Sequence, residues 1–217
     1  MRGQQTDERA KRPAEPVDGS QPEGWQQKAG ILADFVRFAA LLSVVAAFLW
    51  MATGDVVRFS IAFLGLLVPR VFHLPRPFDL AYCITVLLAA WSGAAGWYEA
   101  APWWDWAVHL ITNGAIAAAV YLVLARVRVV HEMHDHTLPH SLVALAVLTG
   151  AFGLAVGAIW EFLEWIGEQY APNTVHVGYV DSIGDLSAGG LGSLIAGICL
   201  VIWATTGRGT RRAHATD

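Results

Sequence analysis

The feature that most constrains this chain is a succession of six apolar stretches, each near the length a helix needs to cross a bilayer. Such a span takes roughly 20 mostly apolar residues. The stretches cover 31–52, 56–72, 80–98, 104–124, 142–165 and 182–205. The second is the weakest, because it holds Arg58, Pro69 and Arg70. Only 15% of the 217 residues are charged, against about 25% in a soluble domain. The pattern predicts an all-α, polytopic membrane helix bundle of six transmembrane helices. Residues 29–206 form this domain, between a polar tail over 1–28 and a short tail over 207–217.

The charges orient the bundle. Residues 1–28 are rich in Gln, Glu, Arg, Pro and Gly, which buries too little apolar surface to offset chain entropy, so a disordered tail is expected there. Its polar length before the first apolar stretch does not fit a signal peptide. With both termini cytoplasmic, Arg58 is the one of 14 Lys and Arg that falls outside. The loops over 99–103 and 166–181 then carry none. That asymmetry satisfies the positive-inside rule and predicts a bacterial-type inner membrane location. Trp97, Tyr98, Trp103, Trp104 and Trp106, with Trp165, Tyr170 and Tyr179, fall where an outer aromatic belt belongs. A net charge of −4 argues against a nucleic-acid partner. Cys83 and Cys199 lie in apolar runs and read as small buried side chains, not as a disulfide.

Rows of small residues predict close helix contacts. Gly153 and Gly157 are four apart on the fifth helix. Gly189, Ser193 and Gly197 repeat at four on the sixth, beside Ala188, Gly192 and Ala196. Such rows let backbones approach closely in lipid. The fifth and sixth helices are expected to pack tightly, and the fourth, with Gly114, Ala115 and Ala118, to join them.

Acids inside membrane helices are costly and mark function by default. Asp105, His109 and Asn113 recur at four residues, so they share one face of the fourth helix. Glu161 and Glu164 share a face near the end of the fifth. Asp181 and Asp185 share a face at the start of the sixth. The topology brings all three patches within about two turns of the outer surface. No Lys or Arg stands near them in these helices. Two solutions offset such crowding. One is a divalent metal (Mn, Mg, Ca, Fe or Zn) on Asp105, His109, Glu161, Asp181 and Asp185. The other is proton sharing, with Glu161, Glu164 and Asp181 as acid–base groups. A lipid or lipid-linked substrate from the outer leaflet would suit such an enzyme. A proton- or cation-coupled carrier is the alternative. A third reading makes Asp105 and Asp181 mere helix caps, but it leaves the deeper Asp185, Glu161 and His109 unexplained.

A second cluster, His131, Glu132, His134, Asp135, His136 and His140, has the composition of a transition-metal site. It lacks the His-Glu-x-x-His spacing of zinc proteases and reads equally as a solvated cytoplasmic loop. His176 is a lone loop histidine within reach of the outer site. No phosphate-binding Gly-rich loop or nucleophile elbow is present.

Asp105-x-x-x-His109, Glu161-x-x-Glu164-Trp165 and Gly178-Tyr179-Val180-Asp181-x-x-x-Asp185 stand in a fixed order. In these three motifs the chain resembles the YjdF-like inner-membrane proteins and, more distantly, the VanZ-like proteins. The resemblance covers about 78–204. YjdF-like relatives tend to carry Gln where this chain has Ile183. The resemblance implies a small polytopic membrane protein without supplying a reaction. The VanZ-like link to glycopeptide resistance points towards the cell envelope.

Overall fold

The computed structural model describes residues 24–133, 139–170 and 178–206. They form α1 (Gly24–Trp50), α2 (Thr53–Val71), α3 (Arg76–Ala94), α4 (Trp97–Ala100), α5 (Pro102–Arg126), α6 (Ser141–Tyr170) and α7 (Tyr179–Thr205). No strand occurs among the described residues. The all-helical expectation holds, and each of the six apolar stretches becomes a helix.

Five helices, α1, α3, α5, α6 and α7, are long and apolar enough to cross a membrane. α2 is the exception to the expected six. Its 19 residues include Asp55, Arg58 and Arg70, and three charges in that length exceed what a simple apolar span carries. They sit towards its two ends and are paired: Arg58 with Asp55, and Arg70 with Asp34 of α1. Between them Phe59, Ala62 and Leu66 are buried against the neighbouring helices. α2 is thus a packed helix with charged ends, not a re-entrant loop.

Two other boundaries shift. α1 starts at Gly24, inside the expected tail, where Trp25 packs edge-on against Trp203 at 6.0 Å between ring centroids. Residues 1–23 and 207–217 lie outside the described residues. α3 stops at Ala94 rather than running to 98, because Gly96 adopts φ 68° and turns the chain into the short α4. A left-handed residue is open to Gly without steric cost, which is why helices end there.

The six long helices form two groups of three. α1, α2 and α3 pack on one another, α5, α6 and α7 do the same, and α3 joins the groups through α5. α5 is the most buried of the spans. At one end of the bundle the indole of Trp91 donates to Ser43 Oγ at 3.1 Å, and that of Trp104 donates to Ser92 Oγ at 2.9 Å, tying α1, α3 and α5 together. That end is called the acidic end below, since Asp55, Glu99, Asp105, Glu161, Glu164, Asp181 and Asp185 gather there. At the opposite, arginine end, buried Arg37 of α1 pairs with buried Asp79 of α3, and its Nε donates to the Leu66 carbonyl of α2 at 2.8 Å.

The glycine rows do what their spacing predicts. A Cβ on Gly192 of α7 would overlap the Leu110 carbonyl of α5, and one on Gly114 would lie 2.7 Å from the Gly192 carbonyl oxygen. On the other side of α7, a Cβ on Gly197 would come within 2.9 Å of the Ala146 carbonyl oxygen, and one on Gly153 of α6 would overlap Ser193. α7 is therefore wedged between α5 and α6, with bare backbone against backbone on both flanks. Gly192→Leu is expected to lower stability in detergent by at least about 2 kcal/mol, since the collision is with main chain that cannot rotate away. Gly167→Ala, where a Cβ meets nothing within 4 Å, is expected to raise it by up to about 1 kcal/mol through helix propensity. Thermal melts of the two variants beside the parent check both signs.

Candidate functional site

The close contact of α5 with α7 sets the geometry of the acidic end. Asn113 of α5 packs over Gly189 of α7, in space that any side chain at position 189 would fill. One turn earlier on α5 is His109, and one turn earlier again is Asp105. One turn before Gly189 on α7 is Asp185, with Asp181 a turn beyond. α6 returns to the same end and brings Glu161 and Glu164. The i, i+4 and i, i+3 spacings thus place carboxylates from three helices around one imidazole.

Two sets of three side chains are close enough to share an ion. Asp105, His109 and Asp185 each offer one ligand atom, all within 4.8 Å of one another. His109, Glu161 and Glu164 do the same. His109 belongs to both sets and is 7% exposed. Its Nε2 lies 3.5 Å from Asp105 Oδ1. Asp185 is 1% exposed. Asp181 is half-buried and outside both sets, one turn from Asp185 on α7.

Hydrogen bonding singles out the same cluster. Four buried side-chain polar atoms lack a partner among the described residues, and three of them are here: Asn113 Nδ2, Glu161 Oε1 and Asp185 Oδ1. A buried polar group left without a partner costs about 1–3 kcal/mol, and more when charged. Among the described residues Arg58 is the one Lys or Arg at this end, and its guanidinium is bonded to Asp55 and packed over Gly93. The site is therefore crowded with carboxyl groups, largely desolvated and short of hydrogen-bond donors. That donor set of carboxylates with one imidazole suits a hard or borderline divalent cation.

The surroundings are apolar and aromatic. Trp106 lies against Gly184, where a Cβ would come within 2.5 Å of its Nε1. Trp160, Phe162, Leu163 and Trp165 of α6 and Val180 and Ile183 of α7 are exposed beside the acids. Tyr98 on α4 donates to the Ala89 carbonyl at 3.3 Å, and burial pushes its phenol above the ordinary tyrosine range, so it stays a neutral donor.

All six residues expected at the site from sequence, Asp105, His109, Glu161, Glu164, Asp181 and Asp185, therefore converge at one end, with Asp181 at the margin. Asn113 belongs with them as the unpartnered amide below His109. Its spacing of four from His109 was the signal. Of the histidine-rich segment, His131, Glu132 and His140 are exposed, on the side of the bundle away from the acids. His134, Asp135 and His136, like His176, lie outside the described residues.

No curated protein and no solved structure matches the chain. A family profile described as "Predicted membrane protein (DUF2238)" matches residues 30–206, which takes in all but the first turns of α1 and the whole acidic site. The chain is a member of that membrane-protein family.

Proposed function

We propose that the acidic end binds one divalent metal ion through Asp105, His109 and Asp185, and uses it on a lipid or lipid-linked substrate. The observation that carries this reading is Asp185, a fully buried carboxylate with an unpartnered oxygen, 4.8 Å or less from two further ligands. A buried charge without a partner is strongly disfavoured unless it is neutralised or coordinated. A bound divalent ion would polarise a substrate oxygen and furnish a water nucleophile near neutral pH. Glu164 and Glu161, the remaining close acids, are placed to take a proton from an attacking water, and would return it to the leaving oxygen of an ester or phosphoester. Asp181 at the rim adds negative field that favours cation entry. The exposed aromatic and aliphatic flank of α6 and α7 fits a substrate arriving from the bilayer. A role as a proton carrier has less support. Further into the bundle the buried hydroxyls of Ser193 and Thr149 are spent on carbonyls of their own helices at 2.7 Å each, so neither donates onward towards the arginine end.

We also infer a bacterial-type inner membrane, with α2 crossing beside the five apolar spans, the acidic end outside and both termini in the cytoplasm. Membership in the wider YjdF-like group fits the three ordered acidic motifs. The orientation rests on the distribution of Lys and Arg. In a Cys83→Ala, Cys199→Ser background, a single cysteine at the exposed position Tyr179 is expected to react with a membrane-impermeant maleimide on spheroplasts. One at the exposed position Val129 is expected to react only after lysis. The reverse pattern would invert the topology.

The metal reading is tested by the metal content of the detergent-purified protein, beside a Glu161→Ala, Asp185→Ala double variant. About one equivalent is expected in the parent after exposure to Mn, Zn, Mg or Ca, with loss in the variant. In chelator the variant is expected to melt at the same temperature as the parent or higher, because it sheds like charges from a desolvated site. Equal metal in both proteins, or none in either, would refute the metal site. A lower melting temperature of the metal-free variant would make these acids structural.

A further inference from the structure

The arginine end holds a second, differently charged site. A cleft of about 200 Å³ lies between α1, α2 and α3, lined by Gln26, Gln27, Gly30, Ile31, Asp34, Arg70 and Arg76. Behind it are Arg37 and Asp79, both buried. Three guanidinium groups here share two carboxylates. Arg37 pairs with Asp34 and Asp79, Arg70 reaches Asp34, and Arg76 reaches Asp79. The cluster thus carries one positive charge more than its acids neutralise.

The three arginines are not equivalent. Arg37 is spent: its guanidinium bonds both carboxylates and the Leu66 carbonyl. Arg70 and Arg76 are not. Arg70 stands 3.4 Å from Asp34 in an exposed pair, and Arg76 stands 3.8 Å from Asp79, beyond hydrogen-bond distance. An exposed pair such as Arg70 with Asp34 adds little stability and exchanges readily, and Arg76, itself partly exposed, is not hydrogen-bonded to the buried Asp79. Each guanidinium has five N–H donors, so both have donors to offer the cleft. Asp79 Oδ2 is itself buried without a hydrogen-bond partner, so the paired network behind the cleft is not tightly closed around Arg76. Gly30 holds the arrangement in place. The stem of Arg76 lies across it, and a Cβ at position 30 would come within 3.2 Å of Arg76 Cδ and Nε. Two glutamine amides on the first turns of α1 line the cleft, and Lys28 stands exposed between them and Gly30.

The geometry points to a phosphate-binding site in this cleft, in which Arg70 and Arg76 grip the phosphate oxygens and Gln26 or Gln27 supplies a further donor. Guanidinium forks match phosphate bidentately and exceed other side chains in this role. Basic clefts between membrane helices at the headgroup level take phospholipid headgroups. The same chemistry would accept a soluble phosphate ester. The site is separate from the acidic end and independent of the metal reading.

Native mass spectrometry of the full chain in detergent tests this, with phosphatidylglycerol, glycerol 3-phosphate and phosphate-free diacylglycerol as probes. The parent is expected to retain phosphatidylglycerol at least tenfold more tightly than an Arg70→Gln, Arg76→Gln variant, with Arg126→Gln behaving as the parent. The same dependence for glycerol 3-phosphate alone would identify a soluble ester as the ligand. Should the double variant not fold, Gly30→Val replaces it, since it displaces Arg76 and keeps every charge. Equal retention of a phosphate probe by parent and variant, or no preference over diacylglycerol, would overturn the proposal.

Discussion

The structure depends on one contact: the bare backbone of α7 at Gly192 lying on the carbonyls of α5. Between membrane helices the hydrophobic effect supplies no force, so association rests on close van der Waals packing and on hydrogen bonds. Small side chains are what make the close approach possible. Gly114 opposes Gly192, and Gly153 makes room for Ser193 on the other flank. With the axis separation set there, the residues one to three turns towards the acidic end have no freedom over whom they face. Asn113 fills the notch at Gly189, and His109 and Asp105 follow along α5 opposite Asp185. The glycines that bring the helices together and the acids that meet above them are thus parts of one arrangement.

That arrangement works against its own stability. Three helices converge with five carboxylates, one imidazole and no free cation among the described residues. Elsewhere the protein pairs its buried charges. Arg37 and Asp79 meet across α1 and α3 at the arginine end. Breaking a buried pair costs roughly 3–5 kcal/mol, so this pair, with the bond from Arg37 to the Leu66 carbonyl, holds the first three helices in register. Among the described residues, the acids of α5, α6 and α7 at the acidic end have no such Lys or Arg partner, and α6 and α7 contain neither residue. A desolvated excess of one sign at a single depth is the mark of a site built for something that arrives. The arginine end is the counterpart, with one excess guanidinium charge beside an open cleft.

Much of this was legible in the sequence, and what was not has physical reasons. Apolar length located all six long helices, and a spacing of four placed Asp105, His109 and Asn113 on one face. The small-residue rows foretold that α7 would be gripped from both sides. The span count was harder, because hydropathy alone does not reveal that Asp55, Arg58 and Arg70 cluster towards the ends of α2 with partners. The end of α3 was missed because Gly96 acts through its left-handed backbone, while Trp97 and Tyr98 still read as span. The Arg37–Asp79 pair was hidden because its members are 42 positions apart, and each looks like an ordinary flanking charge until α1 and α3 are set side by side. One signal was present: Arg37 stands within the first apolar stretch, where a charge needs a partner.

The central claim is that His109 and the carboxylates around it form one coordination sphere. Electron–nuclear resonance on the Mn(II)-loaded protein tests it directly, since a coordinated imidazole nitrogen couples to the electron spin and a carboxylate oxygen does not. The account predicts one bound Mn(II) with a single nitrogen coupling that disappears in His109→Gln and persists in His131→Gln. Bound Mn(II) with no nitrogen coupling, or a coupling that survives His109→Gln, would contradict it.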